Sequence, residues 1–216
     1  MKTALIVGAT GLTGTALTSL LIKENYYDKV IIVVRKPVAL EHPRLEQIVC
    51  DFEHLPEGIM AADDYFCCLG TTMKKAGSKA AFEKVDYEYP LKFAQIAKQH
   101  GAAQFIIITA IASDSHSKIY YSRVKGRVEE ALKDLNFSNL VILRPSFLFG
   151  DRKELRIGEK LGIWLARLLE PLIPRRYRGV EATTVAAAMS EIAKKGLRGV
   201  QIIESEEITP LSQSTR

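Results

Sequence analysis

The sequence is poor in cysteine, with only Cys50, Cys67 and Cys68 among its 216 residues. The number is odd and two of the three are adjacent within an apolar run, which argues against disulfides and indicates a reducing compartment. The four histidines are scattered and lack the spacing of metal ligands, so no metal site is predicted.

Long apolar runs are also lacking. None approaches the roughly 20 residues that a helix needs to cross a bilayer, so no membrane span is predicted. The first residues run directly into a glycine turn at Gly8, without the apolar stretch and the cleavage site of a signal peptide. A cytoplasmic location is the expectation that follows.

The excess of positive charge is small, with 30 Lys and Arg against 25 Asp and Glu, or +5 in total. Much of it falls in residues 151–180, where Arg175, Arg176 and Arg178 are clustered. No nucleic-acid-binding motif accompanies these arginines, and binding to nucleic acid is not expected. The excess is typical of a solvated basic face, and it could equally serve a phosphorylated cofactor.

Apolar runs alternate with segments of helical periodicity, which indicates a parallel sheet covered by helices on both faces. We predict an α/β fold: one Rossmann-type, doubly wound domain over residues 1–216, in which residues 151–195 add a small cap on the substrate side. A long helix over 79–99 should be kinked or divided by Pro90, and residues 212–216 should form a loose tail. The predicted strands are 3–7, 30–34, 45–50, 65–69, 104–109, 140–143 and 200–203, and the other predicted helices are 11–23, 117–135, 158–169 and 182–195.

A glycine-rich turn follows the first strand, with the spacing GxxGxxG. One glycine lets the chain turn tightly, one lets the backbone approach a pyrophosphate, and one lets the helix pack closely on the sheet. The N–H groups at the start of that helix would then point at the phosphates. The pattern predicts dinucleotide binding by Gly8, Thr10, Gly11, Leu12, Thr13 and Gly14.

The residues that follow the second strand bear on the choice between NAD and NADP. NAD-binding proteins usually place an acidic residue there to bind the ribose hydroxyls, whereas this chain has Arg35 and Lys36. A guanidinium can pair with a 2′-phosphate that a carboxylate would repel. The sequence therefore predicts NADP(H) as the cofactor in preference to NAD(H).

A YxxxK string places Tyr121 and Lys125 one turn apart on the same face of a helix. A free tyrosine has a pKa of about 10, and a nearby ammonium stabilises the phenolate and eases proton exchange. Tyr120 has a valine four residues later and is not the candidate. Thr109, at the end of the fifth strand, could hold a substrate carbonyl, and Ser113 is a weaker candidate for that role.

The two motifs together resemble those of the short-chain dehydrogenase/reductase superfamily. Further strings are similar to the atypical branch typified by the Tat-interacting protein, and the resemblance runs over nearly the whole chain. These strings are Phe66–Thr72, Lys75-Ala76-Gly77, Lys84-Val85-Asp86, Tyr121–Gly126, Arg144-Pro145 and Gly150-Asp151-Arg152.

The resemblance implies roles for residues that the motifs alone do not assign. Asp51 and Phe52 would contact the adenine, and Leu69 and Gly70 would lie along the ribose. Tyr121 and Lys125 would be the catalytic pair, and Lys125 would also bind the nicotinamide ribose. Enzymes of the superfamily usually have a serine where this chain has Thr109. Val85 would pack near the ribose, and Pro145 and Phe147 would approach the nicotinamide.

Two functions from different classes are compatible with these features. The first is an NADP(H)-dependent oxidoreductase, of the carbonyl reductase or alcohol dehydrogenase type, acting on a small carbonyl or alcohol substrate. The second is a redox-sensing regulator that binds NADP(H) and is recognised by a protein partner. The apolar stretch 161–169 could be a lid, a dimer face, a membrane-surface helix or a core helix, which leaves an oligomer possible.

Overall fold

The protein is described here from a computed structural model that covers residues 1–56, 58, 61–150 and 174–213. The predicted helix 158–169, most of the predicted cap and the last three residues of the predicted tail lie outside the described residues.

Seven strands form one sheet, in the order β3-β2-β1-β4-β5-β6-β9, and every neighbouring pair is parallel. The central strands are buried along almost their whole length, which explains their continuous apolar sequences. The strands are β1 (Thr3–Val7), β2 (Lys29–Val34), β3 (Leu45–Val49), β4 (Asp64–Cys67), β5 (Gln104–Ile108), β6 (Asn139–Arg144) and β9 (Gly199–Glu204). A separate parallel pair comprises β7 (Leu148–Phe149) and β8 (Val180–Glu181).

Helices connect the strands, and the predicted long helix is divided into three parts. A π-helical turn, Lys84–Glu88, is the middle part, and Pro90 lies in the first turn of the third part, where its missing N–H is tolerated. Pro90 therefore begins a helix and does not kink one. The helices are α1 (Leu12–Lys23), α2 (Met73–Ala76), α3 (Lys79–Glu83), α4 (Tyr89–Gln99), α5 (Tyr120–Asp134), α6 (Ala182–Lys195) and α7 (Ser205–Ser212).

The two faces of the sheet carry separate apolar cores. On one face, Leu17 of α1 and Met189 of α6 pack against alternate strand residues such as Ile6. On the other face, Phe93 of α4 and Leu132 of α5 pack against the remaining residues. Helices on both faces of a parallel sheet confirm the predicted doubly wound Rossmann fold.

The C-terminal part of the chain differs from the prediction in two respects. Helix α6 was expected to belong to the cap, but it packs on α1 and contributes to the main core. Helix α7 was not predicted, although Glu204 and Glu207 form a capping box at its start. Within the described ranges, no helix is long and apolar enough to cross a membrane.

Candidate functional site

Because all seven strands run in the same direction, the segments that follow β1, β2, β4, β5 and β6 meet at one edge of the sheet. Open α/β sheets bind their ligands at this edge. The predicted site residues lie in these segments and in the segment that follows β3.

The glycine turn is built from close backbone contacts. Gly8 has φ +78°, and a Cβ there would lie 2.5 Å from the carbonyl carbon of Cys68. A Cβ on Gly14 would overlap the carbonyl oxygen of Gly8 and lie 2.9 Å from Cα of Ala9. Only glycine fits at either position, because the obstructing atoms belong to the backbone.

The N-terminus of α1 has the properties of an anion site. Gly11 is the N-cap and offers no side chain to accept from the free N–H groups, and the first turn contains no acidic residue. Thr10 and Gly11 are exposed, and Thr13 is buried. The side chain of Leu12 lies close to Gly150, since a Cβ placed on Gly150 would be 3.3 Å from it. Free N–H groups at an exposed helix start fit the pyrophosphate of a dinucleotide.

Arg35 and Lys36 follow the last residue of β2, and both are exposed. Neither side chain has an ion pair or a side-chain hydrogen bond within the part of the chain that is described. Two cations without a protein partner at this position are suited to an additional phosphate.

Asp51 and Phe52, which follow β3, are oriented differently from each other. Asp51 is exposed, and its carboxylate accepts a hydrogen bond from the backbone N–H of Glu53 at 3.1 Å. The ring of Phe52 is 6% exposed and stacks on Tyr89, with the ring centroids 5.7 Å apart. The ring of Phe52 belongs to the core, and the contact of this residue with the adenine stays a prediction.

A buried ion pair lies next to the end of β4. Lys125 Nζ is 2.8 Å from Asp86 Oδ1, and both side chains are at most 5% exposed. A Cβ on Gly70 would lie 3.6 Å from the Asp86 oxygen and 3.7 Å from the Lys125 nitrogen. The ion pair is thus directly adjacent to Gly70, one of the residues expected along the ribose. Leu69 is half-buried beside it.

Asp86 is a site residue that the motifs did not identify. The π-helical turn carries it, next to the half-buried Val85, and its second oxygen accepts a hydrogen bond from the N–H of Thr71 at 3.0 Å. Single π turns are frequent at functional sites. The sequence does indicate that Lys125 needs a carboxylate partner, because this lysine lies between Val124 and Val128 on the inner side of a helix, where a charged group must be paired.

The electrostatics of Lys125 follow from this pairing. Burial by itself acts to lower the pKa of the ammonium, but the charge and hydrogen bond of Asp86, together with smaller effects of Tyr121 and Cys67, raise it overall. Burial also raises the pKa of the Cys67 thiol, to about 12. Lys125 is therefore positively charged at neutral pH and Cys67 is neutral.

The two adjacent tyrosines at the start of α5 differ in their hydroxyl groups. Tyr120 donates to the carbonyl of Lys79 at 3.0 Å, which uses its proton. Tyr121 is 36% exposed, its ring packs on Phe82 at 5.6 Å, and no partner for its hydroxyl is found among the described residues. Of the two, Tyr121 has the hydroxyl that is available to a ligand, one turn before Lys125.

Thr109 has a different environment from the one expected. It is 5% exposed, and its hydroxyl lies 2.6 Å from Glu129 Oε1 and 3.3 Å from the carbonyl oxygen of Leu143. Glu129 is also paired with Arg144. The hydroxyl therefore belongs to a buried network with Glu129 and Arg144, and it is not free to hold a substrate carbonyl as expected. The Ser113 hydroxyl donates to the carbonyl of Ala110 at 2.7 Å.

The segment after β6 contains the two residues expected near the nicotinamide. Pro145 is buried, and its carbonyl accepts from the N–H of Ile111 at 2.9 Å, which ties this segment to the one after β5. Phe147 is 76% exposed, and its carbonyl accepts from the N–H of Val180. The backbone of both residues is thus fixed, while the Phe147 ring is free to contact a ligand.

Solved structures with the same fold include proteins crystallised with sugar nucleotides, one of them together with NAD. MoeE5, solved in complex with UDP-glucose and NAD, has a TM-score of 0.70 and 13% identity, covering 97% of this chain and 80% of that chain. A UDP-N-acetylglucosamine 4-epimerase from Methanobrevibacter ruminantium M1 has a TM-score of 0.70 and 17% identity, covering 94% of this chain and 76% of that chain. These likenesses support the Rossmann fold.

Fungal relatives bear on the predicted location. Protein FMP52 of Eremothecium gossypii is 33% identical over 217 residues, covering 96% of each chain, and it is named as a mitochondrial protein. FMP52 proteins of Lodderomyces elongisporus and Coccidioides immitis carry the same description. The cytoplasmic location predicted from the sequence is contradicted by these relatives and is withdrawn.

The family is shown by two further matches. The HIM1 family model matches residues 40–170, which is more than half of the chain. Protein HTATIP2 of Rattus norvegicus is 34% identical over 224 residues, covering 99% of this chain and 90% of that protein. The chain therefore belongs to the HIM1/HTATIP2 family, an atypical branch of the short-chain dehydrogenases/reductases with an NAD(P)-binding fold.

Proposed function

We propose that this protein is an NADP(H)-dependent oxidoreductase that interconverts a carbonyl and an alcohol. The observation that carries the proposal is the pair formed by Tyr121 and Lys125. The tyrosine is partly exposed and its hydroxyl has no partner in the described part of the chain, and the lysine one turn later is buried, charged and adjacent to Gly70. A proton donor beside a fixed cation, at the edge where a dinucleotide would bind, suits hydride transfer to a carbonyl.

In this mechanism the glycine turn and the start of α1 would hold the dinucleotide, which would supply a hydride when bound. Tyr121 hydrogen-bonds the carbonyl oxygen and gives it a proton as the negative charge develops there. The ammonium of Lys125 stabilises the phenolate that remains, and Asp86 holds that ammonium in place. Because Tyr121 is open to solvent, water can return the proton to it after each turnover.

Specificity for NADP(H) in this proposal depends on Arg35. We expect Arg35→Asp to weaken NADPH binding by about 10- to 100-fold, because it removes a charge-assisted hydrogen bond worth about 1.5–3 kcal/mol and adds repulsion. NADH lacks the 2′-phosphate, so its affinity should stay the same or improve. Fluorescence titration of both dinucleotides would measure the two changes.

Arg198→Asp is the matched control for this variant. Arg198 is exposed and precedes β9, at the opposite edge of the sheet, so this substitution makes the same change in charge far from the proposed site. NADPH binding should be unaltered in it. If Arg35→Asp binds NADPH as tightly as the wild type does, Arg35 does not recognise the phosphate.

A redox-sensing regulator is the second candidate, and the position of Thr109 favours it. Its hydroxyl donates to Glu129, so its one proton is not available to a substrate carbonyl. In this case the protein would still bind NADP(H), and a protein partner would recognise the form that has the cofactor bound. Capture of a defined partner in the presence of NADPH but not in its absence would support this function. Capture that ignores the cofactor would exclude it.

A further inference from the structure

The position of the Asp86–Lys125 ion pair affects the net charge of the candidate site. Its two oppositely charged atoms are 2.8 Å apart, and both lie within 4 Å of the place where a Cβ on Gly70 would be. Gly70 itself is exposed. The pair is therefore shielded from solvent and adjacent to Gly70, one of the residues expected along the ribose of the cofactor.

The charges around this pair balance. Among the described residues, the groups with the largest electrostatic effects on the pKa of Lys125 are Asp86, Tyr121 and Cys67. The thiol of Cys67 is neutral, since burial raises its pKa to about 12. With Tyr121 protonated, the cluster holds one positive and one negative charge, and its net charge is zero.

A nicotinamide ring changes its own charge when it reacts: the oxidised ring carries one positive charge and the reduced ring carries none. The phosphate groups are the same in both forms, so they cancel in any comparison of the two. A buried charge near the ring therefore alters the affinity for the oxidised form much more than the affinity for the reduced form.

We propose that Asp86 is a charge-balancing residue that allows the site to accept the oxidised, positively charged nicotinamide beside Lys125. Without its carboxylate, the ammonium would repel the oxidised ring and the protein would favour the reduced cofactor. This inference rests on the proposed function, because it requires a nicotinamide dinucleotide to bind at this edge. It assigns Asp86 a role in selecting the redox state of the cofactor, in addition to holding Lys125.

The test measures dissociation constants for NADP⁺ and NADPH in a cycle of variants at several pH values from about 6 to 8, because burial acts to lower the pKa of Lys125 once the Asp86 carboxylate is removed. Asp86→Asn should shift the affinity ratio about tenfold toward NADPH, and Lys125→Met should shift it about tenfold toward NADP⁺. The double variant should return to within about twofold of the wild-type ratio. Any loss of a hydrogen bond from Lys125 to the ribose affects both forms and cancels in the ratio.

Glu83→Gln is the matched control, because it removes a carboxylate from the neighbouring turn, where Glu83 pairs with Arg127 at the surface. Its ratio should equal that of the wild type. An unchanged ratio in Asp86→Asn, or a shift in the same direction in both single variants, would overturn the inference, because a purely structural role predicts no opposite shifts.

Two further outcomes have defined meanings. If Asp86→Asn does not fold, the double variant is compared with Lys125→Met, and the added Asp86→Asn should move the ratio about tenfold toward NADPH. No movement in that comparison overturns the inference. If the folded wild type binds neither NADP⁺ nor NADPH, the proposed function itself fails, and the inference fails with it.

Discussion

Tyr121→Phe is expected to lower NADPH-dependent carbonyl reduction by about 100- to 10,000-fold, because it removes the proton donor and leaves the developing alkoxide unprotonated. The ring contact with Phe82 is retained in this variant, so the fold and NADPH binding should be unaffected. The measurement is turnover of a carbonyl substrate that the wild type reduces, followed by the loss of NADPH absorbance.

The adjacent tyrosine is a closely matched control. Tyr120 also packs on Phe82, but its hydroxyl donates to the carbonyl of Lys79. Tyr120→Phe therefore loses one hydrogen bond, worth about 1 kcal/mol of stability, and should keep its turnover. Full turnover in Tyr121→Phe would show that this residue is not the proton donor.

Gly14→Ala is expected to damage both stability and cofactor binding. The new Cβ would overlap the carbonyl oxygen of Gly8 and approach Cα of Ala9, so α1 must move away from β1. We expect the free energy of unfolding to fall by about 3 kcal/mol. The N–H groups at the start of α1 would be displaced with it, which should weaken NADPH binding by on the order of a hundredfold.

Ser19→Ala on the same helix serves as the reference. Ser19 is half-buried and lies away from the glycine turn, so alanine there should change the stability by less than about 1 kcal/mol. Chemical denaturation and NADPH titration of the two variants give the comparison. If Gly14→Ala is as stable as the wild type and binds NADPH normally, α1 does not need this close approach.

The sheet could be predicted from the sequence because its strands are buried on both faces. In a chain that also contains segments of helical periodicity, a short continuous apolar run such as Thr3–Val7 indicates a buried strand of a parallel sheet. Helix α6 has the predicted bounds, but its packing on α1 was missed, since periodicity does not say which neighbour covers an apolar face. Helix α7 was missed because it is short and contains Pro210.

The site was predictable where a residue acts through its backbone or through helical spacing. Gly8 and Gly14 are identified by a turn geometry that admits no other residue, and Tyr121 and Lys125 by a separation of one helical turn. Side-chain direction at the ends of strands was not predictable. The Thr109 hydroxyl points to Glu129, a residue twenty positions later, and no local pattern indicates that contact.

Asp86 illustrates a different limit of sequence analysis. Its place in the site depends on the single π turn, which shifts the register of the following residues relative to an uninterrupted α-helix. Over only five residues, the spacing of apolar residues does not distinguish a π-helix from an α-helix. The need of a buried lysine for a carboxylate could have been stated from the sequence, but the identity of that carboxylate required the fold.

The central claim is that the glycine turn and Arg35 bind NADP(H), and titration of the wild-type protein with NADPH and with NADH tests it most directly. We expect saturable binding of both, with NADPH at least tenfold tighter, because only NADPH carries the phosphate that Arg35 and Lys36 can pair with. Tighter binding of NADH would contradict the assignment of Arg35. Failure of the folded protein to bind either dinucleotide would contradict the account as a whole.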